Sequence, residues 1–134
     1  MTELLPTPEI TDVNRAYWEG IAGGILNIQC CDACGNRWLP PRSNCPRCLS
    51  PETSWSPSSG RGRVISWVVY HTVYHEALKD RVPYNVAVIE LDEGARLLSN
   101  VTGEGWEDAI GIGADVKLVI DREGNFHVPR FRLV

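Results

Sequence analysis

Apolar and polar residues alternate along most of the second half of the chain, as they do in half-buried β-strands. The alternation predicts five strands, at residues 64–74, 84–91, 95–101, 115–120 and 125–134. Asp92-Glu93-Gly94 predicts a tight turn between the second and third strands. A glycine-containing break over 103–113 separates the third strand from the fourth. This arrangement favours a five-stranded OB-fold barrel over residues 61–134.

Near the N-terminus the spacing of apolar residues changes from that of a strand to that of a helix. Four apolar residues recur there at helical spacing: Ile10, Val13, Tyr17 and Ile21. Thr7-Pro8-Glu9 provides a helix start signal and Gly23-Gly24 a stop, so we predict a helix over 9–22. Residues 1–8 are expected to form a loose arm. The apolar stripe of the helix packs either on its own domain or on a partner.

All five cysteines lie in the stretch 30–48, CCDACGNRWLPPRSNCPRC. Four of them form two Cys-x2-Cys pairs that are ten residues apart: Cys31, Cys34, Cys45 and Cys48. Two intervening residues let the backbone turn so that both sulfurs face one ion. Four thiolates leave no open position on the metal, which is typical of a structural site. We predict zinc, with iron in a rubredoxin-like site as the alternative.

Cys30 ends the strand pattern of residues 25–30 and is expected to be a small apolar residue there. The N-terminus shows no basic start and no apolar signal core, and no apolar run approaches the ~20 residues of a membrane-spanning helix. We therefore expect a cytoplasmic protein with reduced thiols rather than disulfides. The predicted organisation is an arm and helix (1–24), a zinc ribbon (25–60) and the OB-fold barrel (61–134).

The net charge of −4 argues against non-specific binding of nucleic acid. The charge is uneven, because residues 37–63 contain a single acid and five arginines: Arg37, Arg42, Arg47, Arg61 and Arg63. Residues 85–115 contain seven acids and one arginine. The arginines form either ordinary solvated faces or an anion site, since the guanidinium fork fits phosphate and carboxylate.

Short motifs spread from Tyr17 to Phe131 add a family resemblance. They are Gly24-x-Leu26-x-x-Gln29-x-Cys31, Cys34-Gly35, Pro40-Pro41-Arg42, Cys45-Pro46-x-Cys48, Trp55, Ser59-Gly60-x-Gly62, Pro83-Tyr84, Leu91-Asp92-Glu93-Gly94 and Gly113-x-x-Val116. Together they resemble the acyl-CoA-associated family with a rubredoxin-like zinc ribbon followed by an OB fold, the small subunits that accompany thiolases.

The resemblance implies a non-catalytic accessory subunit and a hetero-oligomer. Its partner would be a thiolase-fold enzyme: a thiolase, an aldolase similar to lipid-transfer proteins, or an acyltransferase. The subunit would support assembly and help hold coenzyme A or its thioester. The resemblance implies neither a nucleic-acid partner nor a membrane.

The residues agree with a chain that has no active site of its own. Four cysteines are assigned to metal, and no nucleophile elbow accompanies the three histidines, His71, His75 and His127. As CoA contacts we predict Arg42, Arg61 and Arg63 for the phosphates, and His71, Tyr74 and Tyr84 for a groove in which His71 and His75 share one strand face. A nucleic-acid-binding module and an iron electron carrier stay open as alternatives.

Overall fold

The computed structural model describes residues 6–134, which form one longer helix, a three-stranded sheet and a barrel. Helix α1 is Arg15–Ala22. The ribbon sheet contains β1 Asn27–Cys31, β2 Arg37–Trp38 and β3 Thr53–Pro57. The barrel contains β4 Arg61–Tyr70, β5 Tyr84–Leu91, β6 Arg96–Ser99, β7 Val101–Thr102, β8 Asp115–Glu123 and β9 Phe126–Leu133. Two short helices complete it, the 3₁₀ turn Glu76–Leu78 and α2 Trp106–Ala109.

The barrel closes through one nearly continuous strand. Its order is β6-β5-β4-β8-β9-β7, and only Asn100 separates β6 from β7. The β7–β9 pair is parallel, with Val101 opposite Phe131, whereas the other pairs are antiparallel. Strands β6 and β7 together act as the third of five strands, so the predicted OB-fold barrel is confirmed.

Strand β4 is shorter than the sequence pattern predicted. It ends at Tyr70, which lies opposite Tyr84, the first residue of β5. Residues beyond Tyr70 have no ladder partner on β5, so the predicted continuation to residue 74 is wrong. His71 and His75 therefore do not share a strand face. His75 instead starts the 3₁₀ turn, where its Nδ1 accepts a hydrogen bond from Ala77 N at 3.0 Å.

The first helix also differs from its prediction over 9–22, because α1 begins only at Arg15. Before it, Thr11 N donates to Asn14 Oδ1 at 2.7 Å and Asn14 N donates to Thr11 Oγ1 at 3.3 Å. These reciprocal bonds hold a turn in place of the first helical residues. Residues 6–8 have no regular structure, and the rest of the predicted arm lies outside the described residues.

The buried part of the helical stripe packs on its own chain. Tyr17 and Ile21 are buried, while Ile10 and Val13 are 39% and 38% exposed. Helix α1 contacts β1 and β9, so it covers both the ribbon sheet and the barrel. No helix among the described residues is long and apolar enough to cross a membrane.

One hydrophobic core joins the three predicted segments. Ile21 of α1 and Ile28 of β1 belong to the same buried cluster as Val64, Ile89 and Phe131 of the barrel. Each such side chain stabilises the fold by roughly 1.5–3 kcal/mol relative to exposure. The cluster contains residues on both sides of the predicted boundaries at residues 24 and 60. The boundaries themselves remain a prediction. A second, small cluster holds Cys31, Trp38 and Cys45.

Candidate metal centre and basic surface

Four sulfur atoms converge at one end of the ribbon sheet. The Sγ atoms of Cys31, Cys34, Cys45 and Cys48 all lie within 4.8 Å of one another. The Cys31–Cys48 and Cys34–Cys45 sulfur distances are 3.5 and 3.7 Å. A tetrahedron with metal–sulfur bonds of about 2.3 Å has edges of about 3.8 Å. The four cysteines are thus arranged for metal binding, as predicted.

Backbone amides support the sulfurs in both pairs. Cys34 N donates to Cys31 Sγ at 3.3 Å, and Cys48 N donates to Cys45 Sγ at 3.5 Å. Gly35 follows the first pair with a positive φ of 78°, and its N–H donates to Cys31 O. Leu49 takes the equivalent place in the second pair with a φ of 66°. The sequence indicated the first of these left-handed residues but not the second, because leucine gives no such signal.

The surroundings of the four thiols shift the pKa values of Cys45 and Cys48 in opposite directions. Burial raises the pKa of Cys45, but hydrogen bonds, led by the N–H groups of Cys48 and Arg47, outweigh burial and lower that pKa to about 6. The Ser50 backbone hydrogen bond lowers the pKa of Cys48, yet the three neighbouring cysteines and burial raise it to about 12. Four thiolates so close together repel one another, and a bound divalent ion removes that repulsion.

Cys30 is not part of this cluster. It lies in β1, half-buried, between Gln29 and the metal-site residue Cys31. It pairs across the sheet with Arg37 of β2 and Ser54 of β3. Its place in β1 agrees with the predicted position of Cys30 in a strand.

A buried amide fixes the loop between the two cysteine pairs. Gln29 is 3% exposed, and its Oε1 accepts from Arg42 N at 2.6 Å while its Nε2 donates to Arg42 O at 2.8 Å. Both backbone groups of Arg42 are therefore satisfied by one side chain. The Gln29 amide thus holds the Pro40-Pro41-Arg42 segment against β1 and leaves the Arg42 side chain exposed.

The arginines of the ribbon have no carboxylate partner among the described residues. Arg37, Arg42 and Arg47, the ribbon arginines, are exposed, and none forms an ion pair with a residue in the described part of the chain. In contrast, four arginines of the barrel contact carboxylates: Arg63, Arg81, Arg96 and Arg130. Arg37 and Arg47 line a cleft of about 470 Å³ beside Cys34, and the acidic residue Glu93 also lines it without an ion pair to either arginine. Sequence reasoning counted these two arginines but assigned them no site.

The three arginines that were predicted to bind CoA phosphate lie on two parts of the fold. Arg42 lies in the ribbon, whereas Arg61 and Arg63 lie on β4. Arg63 Nη2 is 2.7 Å from Glu90 Oε1, and Arg96 contacts the other oxygen of Glu90 at 2.9 Å. Arg61 is exposed and forms no ion pair with a described residue. Of the three predicted arginines, Arg42 and Arg61 are therefore the two whose guanidinium groups form no ion pair with a described residue.

The predicted groove residues are only partly brought together. The Tyr84 ring stacks on Tyr70 with a centroid distance of 5.3 Å, and Tyr70 meets Tyr74 edge-on at 5.8 Å. Tyr74 is 72% exposed, and His71 is exposed just beyond the end of β4. Tyr70, which the sequence analysis did not single out, links the other two tyrosines.

Comparison with known proteins agrees with this architecture. Residues 18–54 match the family described as "ChsH2, rubredoxin-like zinc ribbon domain", and residues 55–121 match "ChsH2, C-terminal OB-fold domain". The chain is similar to a solved "Ltp2-ChsH2(DUF35) aldolase", at 35% identity and a TM-score of 0.83, over 95% of this chain and 98% of that one. A DUF35 structure from Sulfolobus solfataricus, at 17% identity and a TM-score of 0.67 over 92% and 86% of the two chains, shares the fold.

Two relatives illustrate how this unit occurs in other proteins. The chain is 36% identical over 130 residues to a "Probable enoyl-CoA hydratase alpha subunit" of Thermomonospora curvata, covering 96% of this chain and 40% of that relative. It is 40% identical over 90 residues to a "DUF35 domain-containing scaffold protein" of Methanothermobacter thermautotrophicus, covering 66% of each. The chain thus spans well under half of the hydratase subunit. With both ChsH2 domains matched and the four cysteines in place, the chain belongs to the ChsH2 (DUF35) family, in which a rubredoxin-like zinc ribbon precedes an OB-fold domain.

Proposed function

We propose that this chain is a non-catalytic accessory subunit that assembles with a thiolase-fold enzyme and helps hold its CoA thioester. The observation that carries the proposal is the likeness to the Ltp2-ChsH2(DUF35) aldolase, which extends over 98% of that chain at 35% identity. The names of the relatives, a scaffold protein and a hydratase alpha subunit, describe proteins that act within assemblies. The proposal extends that role to this chain.

In this proposal the metal is a structural zinc. Cys31, Cys34, Cys45 and Cys48 would hold it and leave no position for a substrate. Apart from the main core, the end of the ribbon that carries the cysteines buries only the small cluster around Trp38, so the metal supplies folding free energy there. Its role is to keep the ribbon surface in a fixed shape.

Two of the ribbon arginines, Arg37 and Arg47, provide the docking surface. Their side chains are exposed and lack a carboxylate partner among the described residues, although the whole chain carries a net charge of −4. A partner surface with acidic side chains would neutralise them and accelerate association. Exposed arginines that already form internal ion pairs, such as Arg96 with Glu90, have less to gain from a partner.

CoA would contact the chain through its phosphates at other arginines. A guanidinium can donate two parallel hydrogen bonds to a phosphate, and Arg42 and Arg61 have no competing carboxylate among the described residues. Arg63 is a weaker candidate because Glu90 already holds it. The pantetheine and acyl part would then run towards His71, Tyr74 and Tyr84 at the far end of β4.

Reconstitution with a thiolase-fold enzyme encoded in the same genome tests the proposal. We expect the two chains to co-elute in size-exclusion chromatography, and we expect acyl-CoA turnover to appear or rise sharply only when both are present. A metal-loaded Arg37→Glu, Arg47→Glu double variant should fold but lose co-elution. Turnover of acyl-CoA by the isolated chain at the rate of the mixture would refute the accessory role.

A further inference from the structure

A cavity of about 500 Å³ lies at one end of the barrel. Of the residues that the sequence analysis assigned to a site, only Tyr84 lines it. We name it the barrel-end cavity. Its walls come from the connection between β4 and β5, from β7, from α2 and from β9, and they include Leu78, Arg81, Tyr84, Asn100, Trp106 and Arg130. Its size falls within the range of about 300–1,000 Å³ that is usual for small-molecule sites.

Two aromatic side chains give the cavity fixed walls. The Tyr84 ring is held by stacking on Tyr70, at a centroid distance of 5.3 Å and an interplanar angle of 24°. Trp106 is half-buried and packs against the hydrophobic core, so α2 holds it in place. Pro83 adds a rigid apolar wall next to Tyr84. Preformed flat walls of this kind fit the faces of a ring system.

The two arginines in the cavity wall are neutralised by carboxylates that lie outside the lining. Arg81 donates through both terminal nitrogens to Glu123, at 2.7 and 2.9 Å. Arg130 Nη1 lies 3.0 Å from Asp121 and 2.8 Å from Glu123. Two cations therefore face two carboxylates. A charged ligand would gain little attraction from this network and would disturb it.

The same network retains hydrogen-bond donors for an uncharged ligand. Among the described residues, Arg81 Nε and Arg130 Nη2 have no hydrogen-bond partner, although both arginines line the cavity. Arg130 is only 17% exposed. The neighbouring amide of Asn85 is not available, because both of its polar atoms are bonded to the backbone of Val101 at 2.7 Å. The groups that remain to bind a ligand are therefore guanidinium N–H donors.

We propose that the barrel-end cavity binds an uncharged, mainly apolar ring compound that carries a carbonyl or hydroxyl oxygen. The ring lies between Tyr84 and Trp106, and the oxygen accepts a hydrogen bond from Arg81 or Arg130. The proposal depends neither on partner docking nor on the CoA phosphates, because it uses none of the arginines assigned to them, and it shares only Tyr84 with the proposed path of the acyl part. It gives the OB-fold barrel a ligand site of its own.

Three matched probes added to the metal-loaded chain test the chemistry: 2-acetylnaphthalene, naphthalene and 2-naphthoate. Binding is followed by chemical-shift changes of backbone amides in ¹⁵N-labelled protein. We expect saturable shifts centred on residues 81–85 and 101–106 with the ketone. The hydrocarbon should bind about fivefold more weakly, which corresponds to one hydrogen bond of about 1 kcal/mol. The carboxylate should bind no more tightly than the ketone.

Variants locate the site. Trp106→Leu should weaken ketone binding at least tenfold, whereas Trp67→Leu, which changes a half-buried tryptophan outside the cavity, should leave binding unchanged. Arg81→Met should abolish or reduce the preference for the ketone over the hydrocarbon, whereas Arg122→Met should not. Shifts elsewhere on the chain, tighter binding of the carboxylate, or equal binding by Trp106→Leu would each overturn the proposal. Loss of this site would leave co-elution with the enzyme intact.

Discussion

The carboxylate of Glu93 accepts a hydrogen bond from the hydroxyl of Ser58 at 2.7 Å. Its second oxygen accepts from Ser59 N at 2.9 Å. Glu93 lies in the turn between β5 and β6, and Ser58 lies in the link between β3 and β4. One acidic side chain thus ties the barrel to the end of the ribbon, across 35 positions of sequence. Burial raises the pKa of Glu93, but these two hydrogen bonds, the backbone bond first, outweigh burial and lower it.

Glu93→Gln should lower the free energy of unfolding by about 1–2 kcal/mol, because charge-assisted bonds are replaced by neutral ones and one of the two accepting oxygens becomes an NH₂ that cannot accept. Urea denaturation followed by tryptophan fluorescence measures the difference. Asp92→Asn is the matched control, since Asp92 is an exposed acid in the same turn whose side chain forms no hydrogen bond within the described residues. Equal effects of the two substitutions would show that the Ser58–Glu93 tie does not stabilise the junction.

Sequence reasoning found the turn that carries Glu93 but not this tie. The turn at residues 92–94 was correctly predicted from its composition, because Gly94 supplies the positive φ of 98° that such a turn requires. The partner of Glu93 lies far away in sequence, and no local pattern specifies it. Gln29 is similar, since its bonds to Arg42 depend on how the ribbon folds back.

The errors at the end of β4 and at the start of the first helix have the same origin. Strand β4 and the first helix were extended on the basis of local propensity, over residues 71–74 and 9–14. A strand needs a ladder partner, and β5 offers none beyond Tyr84. The first predicted turns of the helix are replaced by a turn that the side-chain hydrogen bonds of Thr11 and Asn14 hold. The cysteine cluster, by contrast, was fully predictable, because the Cys-x2-Cys spacing itself encodes the geometry.

Cys34→Ser should remove the metal and unfold the ribbon. Replacing one of four thiolates leaves a site that no longer satisfies a tetrahedral ion, and metal binding there is folding free energy. Metal analysis by mass spectrometry should give about one zinc per wild-type chain and much less for the variant. Cys30→Ser is the control, because Cys30 lies outside the cluster and should keep the metal. Wild-type protein that contains neither zinc nor iron would contradict the assignment.

Acid should weaken the barrel through Glu123. The hydrogen bond from Arg81 is the main cause that lowers the Glu123 pKa to about 2, with burial opposing it and Arg130 adding to it. In the unfolded chain this group titrates near pH ~4.3. A lowered folded-state pKa gives stability that is present above the unfolded value and is lost as the pH falls towards 2.

Glu123→Gln should therefore cost about 1–3 kcal/mol at pH 7 and progressively less below pH ~4.5. Thermal unfolding of wild type and variant across pH 2–7 measures the convergence. Glu104→Gln serves as the control, since Glu104 is exposed and forms no ion pair with a described residue. A Glu123→Gln difference that stays constant over this range would show that the Arg81–Glu123–Arg130 network does not account for acid sensitivity.

The arginine assignment makes the sharpest functional prediction. In the reconstituted complex, Arg42→Ala and Arg61→Ala should each raise the KM for the CoA thioester about tenfold to a hundredfold, which corresponds to a lost charge-assisted contact of roughly 1.5–3 kcal/mol. Arg63→Ala should have a smaller effect, because its guanidinium is already bonded to Glu90 at 2.7 Å. Steady-state kinetics with a titrated thioester measure all three.

Arg96→Ala is the matched control for these variants, because Arg96 contacts the same Glu90 and lies on the barrel outside the proposed phosphate site. It should leave KM unchanged. If Arg42→Ala and Arg61→Ala also leave KM unchanged while the complex stays intact, the phosphates bind elsewhere. If either variant instead dissociates the complex, as judged by size-exclusion chromatography, that arginine belongs to the protein interface. The two outcomes are separable because a phosphate contact depends on the ligand, whereas docking occurs without it.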